Sequence, residues 1–271
     1  MAVIAMTREM ATRGKDVAAG LADRLGLTVV HHEVVEHKIA ERAGMRESEV
    51  HRFLEGEPSL FERWKIDRKR LSQFTAQEIL ELAAKGNVVI RGWGATYLLR
   101  SVPHVVCVRV CAPMAFRETV LMERLGIADR DVARKEIERN DAAHSWTMQK
   151  MFSINWMEPT LYASVLNTAR VPVADCVEHI VRLSESAAFR DTLQSQRDLA
   201  DQLIETRLHA TLDPRFGSSI DVTVSAGTVI LSGIVNDAAL RAEAEGLARA
   251  VPGVTSVENN ITQIVAGRWQ L

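Results

Sequence analysis

The sequence predicts an α/β protein, a parallel sheet covered by helices on both faces, followed by a small α+β module of αββαβ order. Three observations carry this. Short apolar, β-branched runs alternate with helical periodicity from Ala2 to Leu183, as in a sheet whose crossovers are helices. The stretch from Ser184 to about Arg197 is polar and lacks sheet-forming runs, so it reads as a helical or loose linker. Beyond it come one helix, a hairpin, a second helix and a strand, with short connections. The expected division is residues 1–183, a linker at 184–197 and a second domain at 198–266.

Ala2 to Met6 is the first strand, Thr7 to Lys15 a polar loop, and Val17, Ala18, Leu21 and Leu25 form one helical stripe. Strand, loop and helix in that order frame an anion site, in which backbone N–H groups and a helix N-terminus receive phosphate. The phosphate-loop pattern G-x-x-x-x-G-K-[ST] is half present, as Glu9-x-x-x-x-Gly14-Lys15-Asp16. Leu27 to His31 reads as a second strand. His31, His32, Glu33 and His37 invite a metal reading, but H-E-x-x-H fails because Glu36 stands four residues after His32. From Glu33 to Ala84 the pattern is helical, with breaks at Gly44, Gly56 and Pro58 and packing aromatics at Phe53, Phe61 and Trp64. The basic run Arg63–Arg70 is either a solvated helix face or a phosphate-facing patch.

Gly86 to Ile90 is a buried-strand signal, followed by Arg91-Gly92-Trp93-Gly94 and a helix from Ala95 to Arg100. A second strand–glycine–helix junction matters because open α/β sheets bind ligands at the carboxyl ends of their strands. Val105–Val110 is a strand and Met114–Leu125 an amphipathic helix. Ala128–Asn140 is dense in charge, Asp141–Pro159 reads as a Met-rich helix holding Trp146 and Trp156, Ala163–Thr168 is a strand, and Val173–Leu183 a closing helix. In the second domain, Leu199–Leu208 is helical, Ile220–Val224 and Thr228–Leu231 pair across Ala226-Gly227, Asn236 caps a helix to Ala250, and Val254–Ile264 is the last strand.

Composition removes several classes. A net charge of -2 gives no global field for nucleic acid or an anionic membrane, so an anion site must be local. No apolar run approaches the roughly 18 residues that a membrane span needs, and no signal peptide is expected. Cys107, Cys111 and Cys176 have neither disulfide-framework nor zinc spacing; Cys107 and Cys111, in an apolar strand-like run, read as buried free thiols, and the setting as reduced and cytoplasmic; no metal site is expected.

The C-terminal module resembles a BON domain through Ile220-x-Val222-x-Val224, Gly227-Thr-Val-x-Leu231-x-Gly233-x-Val235 and Val251-Pro-Gly253-Val254-x-x-Val257-x-Asn259. The resemblance implies attachment to phospholipid, a small ligand or a protein, and no catalytic residues. The first 180 or so residues resemble the cytidylate-kinase-like family of P-loop phosphotransferases. The landmarks are Thr7-Arg8-Glu9, Gly92 and Gly94, Ala112-Pro113-x-x-x-Arg117, Met122-Glu123-Arg124, Glu138-Arg139-Asn140-Asp141, Trp156-x-x-Pro159 and Leu166-Asn167-Thr168.

That resemblance implies ATP- and Mg²⁺-dependent transfer to a nucleoside monophosphate, CMP by family analogy. Arg8, Thr12, Arg13, Gly14 and Lys15 would cradle the donor phosphates, and Arg91, Gly92 and Gly94 would hold the acceptor. The segment from Arg124 to Pro159 would be a helical lid, with Lys15, Arg124, Arg139 and Asp141 as catalytic residues. Arg117, Arg130 and Arg134 are further phosphate candidates, and Asp16 or Asp141 an indirect Mg²⁺ partner.

The departures point the other way. Ala11, Thr12 and Arg13 stand where the family loop has Gly-Ser-Gly, so side chains are expected to crowd the amides that approach phosphate. Trp93 replaces the arginine of a G-R-G turn, and the lid's D-K-x-R becomes Asp141-Ala142-Ala143-His144, two cations reduced to one titratable imidazole. The alternative function is therefore a catalytically degenerate nucleotide sensor or scaffold, which the BON domain attaches to its partner.

Overall fold

The computed structural model describes residues 2–30, 32–54, 67–92, 94–126 and 128–264, and of residues 32–34 and 53 the backbone alone. His31, Gly56, Pro58, Phe61, Trp64, Trp93 and the first half of the basic run at 63–66 lie outside the described residues. Two compact units follow one another, Met1–Thr192 and Leu193–Leu271.

In the first unit the elements are β1 (Val3–Arg8), α1 (Gly14–Leu25), β2 (Thr28–Val30), α2 (His32–Ala43), α3 (Glu47–Leu54), α4 (Arg68–Lys85), β3 (Val88–Arg91) and α5 (Ala95–Leu98). Then come β4 (Val105–Cys111), α6 (Met114–Leu125), α7 (Arg130–Phe152), β5 (Ser164–Asn167) and α8 (Val173–Glu185). The sheet order is β2-β3-β1-β4-β5, and every pairing is parallel. β1 is central, with Ala5 opposite both Ile90 and Cys107. Its residues Val3 to Met6 are buried, because in a doubly covered parallel sheet both faces of a central strand meet helices. Ile4, Met6, Val89, Val106 and Val108 share one core with Val17 and Leu21 of α1 and Ile180 of α8. The strand order reverses beside β1, and the loops at this end carry the candidate site.

One helix of the first unit is longer than its sequence suggests. The charge-dense segment and the Met-rich segment are a single helix, α7, capped by Asp129, which accepts from the N–H groups of Asp131 and Val132. It ends when Ser153 turns left-handed (φ 56°), so Trp146 belongs to it and Trp156 lies beyond it. An αL residue stops a helix as a glycine would.

The second unit has α9 (Leu193–Phe216), β6 (Ile220–Ser225), β7 (Thr228–Val235), α10 (Ala238–Arg249) and β8 (Ser256–Gln263). β6 pairs antiparallel with β7, and β7 parallel with β8. α9 extends six residues before and eight after the expected Leu199–Leu208 span, since its stripe Leu199, Leu203, Leu208, Leu212 and Phe216 stays buried to the end. Asp237, not Asn236, caps α10, its carboxylate accepting from the Ala239 N–H at 2.8 Å. The hairpin turn has positive φ at both Ala226 (49°) and Gly227 (77°), and Asp201 of α9 accepts from both amides at 2.7 and 2.8 Å. Gly233 is required by space: a Cβ there would stand 2.1 Å from the Ser219 carbonyl oxygen. Among the described residues no helix is long and apolar enough to cross a membrane.

Candidate functional site

A cleft of about 280 Å³ opens at the carboxyl ends of β1 and β3. Thr7 and Arg8 come from β1, Met10 and Lys15 from the two ends of the following loop and helix, and Arg91 and Gly92 from β3. Arg124 comes from α6, while Asn140, Asp141, His144, Thr147 and Met148 form one stripe of α7, with Trp156 just after it. Four cations on four elements thus converge on one space.

The loop between β1 and α1 keeps a glycine-like path without the glycines. Ala11 (φ 60°) and Arg13 (φ 56°) both lie in the left-handed region, at the two positions where glycine is expected. Such a backbone costs a non-glycine residue about 1–2 kcal/mol. The expected crowding does not occur, because each side chain leaves the cleft. The Ala11 methyl is buried with Leu121, Ala133 and Ile137 of α6 and α7. The Thr12 hydroxyl donates to the Glu9 carbonyl at 2.8 Å, and the Arg13 guanidinium sits 5.6 Å over the Phe116 ring. The side chains of Thr12 and Arg13 therefore serve the loop's packing. Gly14 begins α1, and its missing Cβ leaves room for the Arg8 stem, whose carbons lie 2.9 Å from where a Cβ would be.

A buried ionic cluster anchors this loop. The Glu9 carboxylate takes a hydrogen bond from Arg109 of β4 and another from the Ala112 N–H at 3.2 Å. Arg117 of α6 donates through Nε to the Met10 carbonyl at 2.8 Å, and through both Nη atoms to Asp141 at 2.8 and 2.7 Å. Its Nη1 also lies 3.6 Å from Glu9, and its side chain is only 5% exposed. Two arginines against two carboxylates balance in charge, and the fork geometry joins the loop to the lid helix. Sequence reading placed Glu9 in the loop but missed its pairing, and it missed Arg109 altogether. The signal was available: an arginine inside Val-Val-Cys-Val-Arg-Val-Cys must be paired, since a lone charge in a buried strand is too costly.

The lid cations are largely diverted. Arg130 and Arg134 both point to Glu118 of α6, at 3.3 and 2.6 Å, and that carboxylate is fully buried. Arg139 does not line the cleft; it is an exposed helix-surface group 3.0 Å from Glu136. Asp141 lines the cleft but spends both oxygens on Arg117. Gly94 does not line the cleft, and a Cβ there would meet the Phe152 ring at 2.5 Å.

His144 is not the residual cation that its titratable ring suggests. Burial pushes its pKa down to about 4; Asp141 opposes the shift while Arg8 and Arg109 reinforce it. The ring meets Trp156 edge-on at 4.4 Å and 85°, and its Nε2 is buried with no hydrogen-bond partner among the described residues. Trp156 is itself held by Nε1 donating to Ser145 at 2.8 Å and by the Arg109 guanidinium 5.0 Å over its ring.

The donor set does not fit a protein-held Mg²⁺ ion. Asp16 is exposed on the first turn of α1 and does not line the cleft, and Asp141 is taken by Arg117. Among the described residues no three His, Cys, Asp or Glu side chains cluster as a metal site. Cys107 is an inert packed thiol, pushed up to about 12 by burial.

A five-stranded parallel sheet, a loop that turns from β1 into a helix N-terminus, and a helix crossing the cleft define a P-loop-type phosphotransferase fold. The chain belongs to the cytidylate kinase-like family, whose model matches residues 3–170. Residues 198–264 match the BON domain. A cytidylate kinase of Pyrobaculum aerophilum is 26% identical over 178 residues, covering 65% of this chain and 89% of the relative. An uncharacterized protein of Eubacterium ventriosum superposes with a TM-score of 0.54 at 18% identity, over 68% of this chain and 98% of that one. The shikimate kinase of Acinetobacter baumannii, solved with shikimate, gives a TM-score of 0.37 at 13% identity, over 68% and 92%.

Proposed function

We propose that the first unit binds nucleotide in this cleft and transfers a phosphoryl group from ATP to a nucleoside monophosphate, with CMP the acceptor suggested by the family and by its relative. The observation that supports this is the convergence of Arg8, Lys15, Arg91 and Arg124 on one space at the carboxyl ends of the strands. Lys15, Arg8 and the N-terminus of α1 would hold the donor phosphates, Arg91 and Gly92 the acceptor phosphate, and Arg124 the group in transit. An acceptor phosphate oxygen attacks the γ-phosphorus, and the bond to the bridging oxygen breaks as ADP leaves with its electron pair. Positioning and electrostatics carry nearly all of such a reaction. Asp141 acts in this scheme through Arg117, as a positioning residue, and Arg139 has no role in it. Any Mg²⁺ is left to the nucleotide's own phosphates and to water.

A second reading, nucleotide binding without turnover, is favoured by two observations: Glu118 holds Arg130 and Arg134, and the lid face offers a neutral imidazole. Under it the protein is a nucleotide sensor or scaffold, and the BON domain attaches it to phospholipid, a small ligand or a protein. The two readings separate when the full chain is incubated with ATP and CMP and CDP is followed by chromatography. Product that disappears in Lys15→Ala and Arg124→Ala supports transfer; ATP binding without product supports the sensor; neither binding nor product overturns both. Co-sedimentation of the full chain with phosphatidylglycerol vesicles tests the lipid role of the BON domain. We also propose residues 1–183 and 198–266 as the working domains, with 184–197 between them.

A further inference from the structure

The stripe that α7 presents to the cleft is neutral over most of its length. Asn140, His144, Thr147 and Met148 recur at helical spacing, and the one charge among them, Asp141, is cancelled by the Arg117 fork. The cations enter the cleft from the other elements, on β1, α1, β3 and α6. Phosphate chemistry and neutral hydrogen-bonding chemistry thus come from different walls.

On the neutral wall one atom is unaccounted for. Among the described residues the Nε2 of His144 is buried and has no partner, although a buried polar nitrogen left unpaired costs about 1–3 kcal/mol. The ring is held by the edge-on contact with Trp156, whose indole is pinned by Ser145 and covered by Arg109. His144 lines the cleft, so a ligand seated there that displaces the groups now sealing this nitrogen can give it a partner.

Resting on the nucleotide-binding reading above, we infer that His144 is a specificity-determining residue whose Nε2 accepts a hydrogen bond from a neutral N–H or O–H donor on the nucleoside part of the acceptor. With its ring proton on Nδ1, a neutral imidazole is an acceptor at Nε2 and pairs with an exocyclic amine or a sugar hydroxyl. An unprotonated phosphate oxygen has no hydrogen to offer it. The charged groups around the ring are Asp141 on its own helix, Arg8 on β1 and Arg109 on β4, with Arg117 of α6 bound to Asp141. The nearby arginines disfavour a proton on the ring, and burial disfavours it more, so the neutral form persists at physiological pH.

Calorimetric titration of the full chain with CMP, UMP and dCMP tests this, in wild type, His144→Phe and His144→Gln. The expected result is a fivefold to tenfold weakening of CMP in His144→Phe, the size of one lost hydrogen bond, with most of the affinity kept in His144→Gln, which still offers an acceptor oxygen. If the donor is the cytosine amine, UMP binds weakly to wild type and the Phe substitution leaves it unchanged. If it is the ribose 2′-hydroxyl, dCMP binds weakly to wild type and the substitution weakens UMP as it does CMP. In parallel, the His144 imidazole signals are followed by NMR against pH. They should keep the ring neutral above pH 6 both free and saturated with CMP. CMP affinity unchanged within twofold in both variants overturns the inference. So does an imidazole that protonates on binding, with a bound pKa above 7, because that ring faces a phosphate. A wild-type chain that binds none of the three nucleotides, nor ATP, fails one step earlier and removes the nucleotide reading together with the inference.

Discussion

At Ala11 and Arg13 the loop carries side chains where glycine is expected, yet both residues hold left-handed φ and both side chains turn away from the cleft. At Asp141 to His144 the lid keeps its helix, yet its charges are paired off or absent. The loop departs from the family in its residues and holds left-handed turns without glycine; the lid is helical and departs in its charges. A backbone path can be retained at a cost of about 1–2 kcal/mol per residue when neighbouring groups over-determine it. A cation has no such substitute, since what it supplies is the charge itself. Loop and lid can therefore be tested separately, and each region makes its own prediction.

The largest effect is expected where the two regions are joined. Arg117→Ala leaves Glu9 and Asp141 without the guanidinium between them and should lower the unfolding free energy by about 3–5 kcal/mol. Urea denaturation reads this directly, and a loss below about 1 kcal/mol would mean that the cluster is not the join. Next comes Lys15→Ala, on an exposed side chain at the start of α1. It should leave stability unchanged while lowering any CDP formation by about 10²-fold or more, measured under saturating ATP.

A pH titration of stability probes the lid alone. The pKa of His144 lies at about 4 in the folded chain against 6.5 in the unfolded one, so the unfolded chain binds more protons between those values. Stability should fall as pH drops from 6.5 towards 4, by about 2 kcal/mol from this group, and stay flat from it above pH 7. His144→Gln should remove that part of the slope; an unchanged slope would place the ring elsewhere. The smallest effect is expected at the loop. Ala11→Gly with Arg13→Gly relieves the left-handed strain but loses the buried methyl, the ring contact and some unfolded-state entropy, for a net change below about 1 kcal/mol. ATP affinity should stay within about twofold. A tenfold gain would show that the side chains obstruct phosphate after all.

The architecture was legible because every strand of the first unit is a short apolar run between helical stripes, and β1 through β5 fall within residues of where those runs end. The BON resemblance was legible in glycines with a steric duty, such as Gly233 against the Ser219 carbonyl. Less was legible where partners are far apart in sequence. Glu9 reads as a missing glycine until Arg109, a hundred residues later, is seen to bind it. Arg130 and Arg134 read as phosphate ligands, since nothing local reveals that a buried Glu118 claims them. His144 reads as a charge because its identity shows in sequence while its burial does not.

The loop is expected to receive phosphate although its glycines are gone. Calorimetric titration of the full wild-type chain with ATP, beside Lys15→Ala, tests it most directly. Saturable one-site binding in wild type that weakens at least tenfold in Lys15→Ala is the predicted result. Absence of binding at millimolar ATP, or equal binding by both chains, would contradict it.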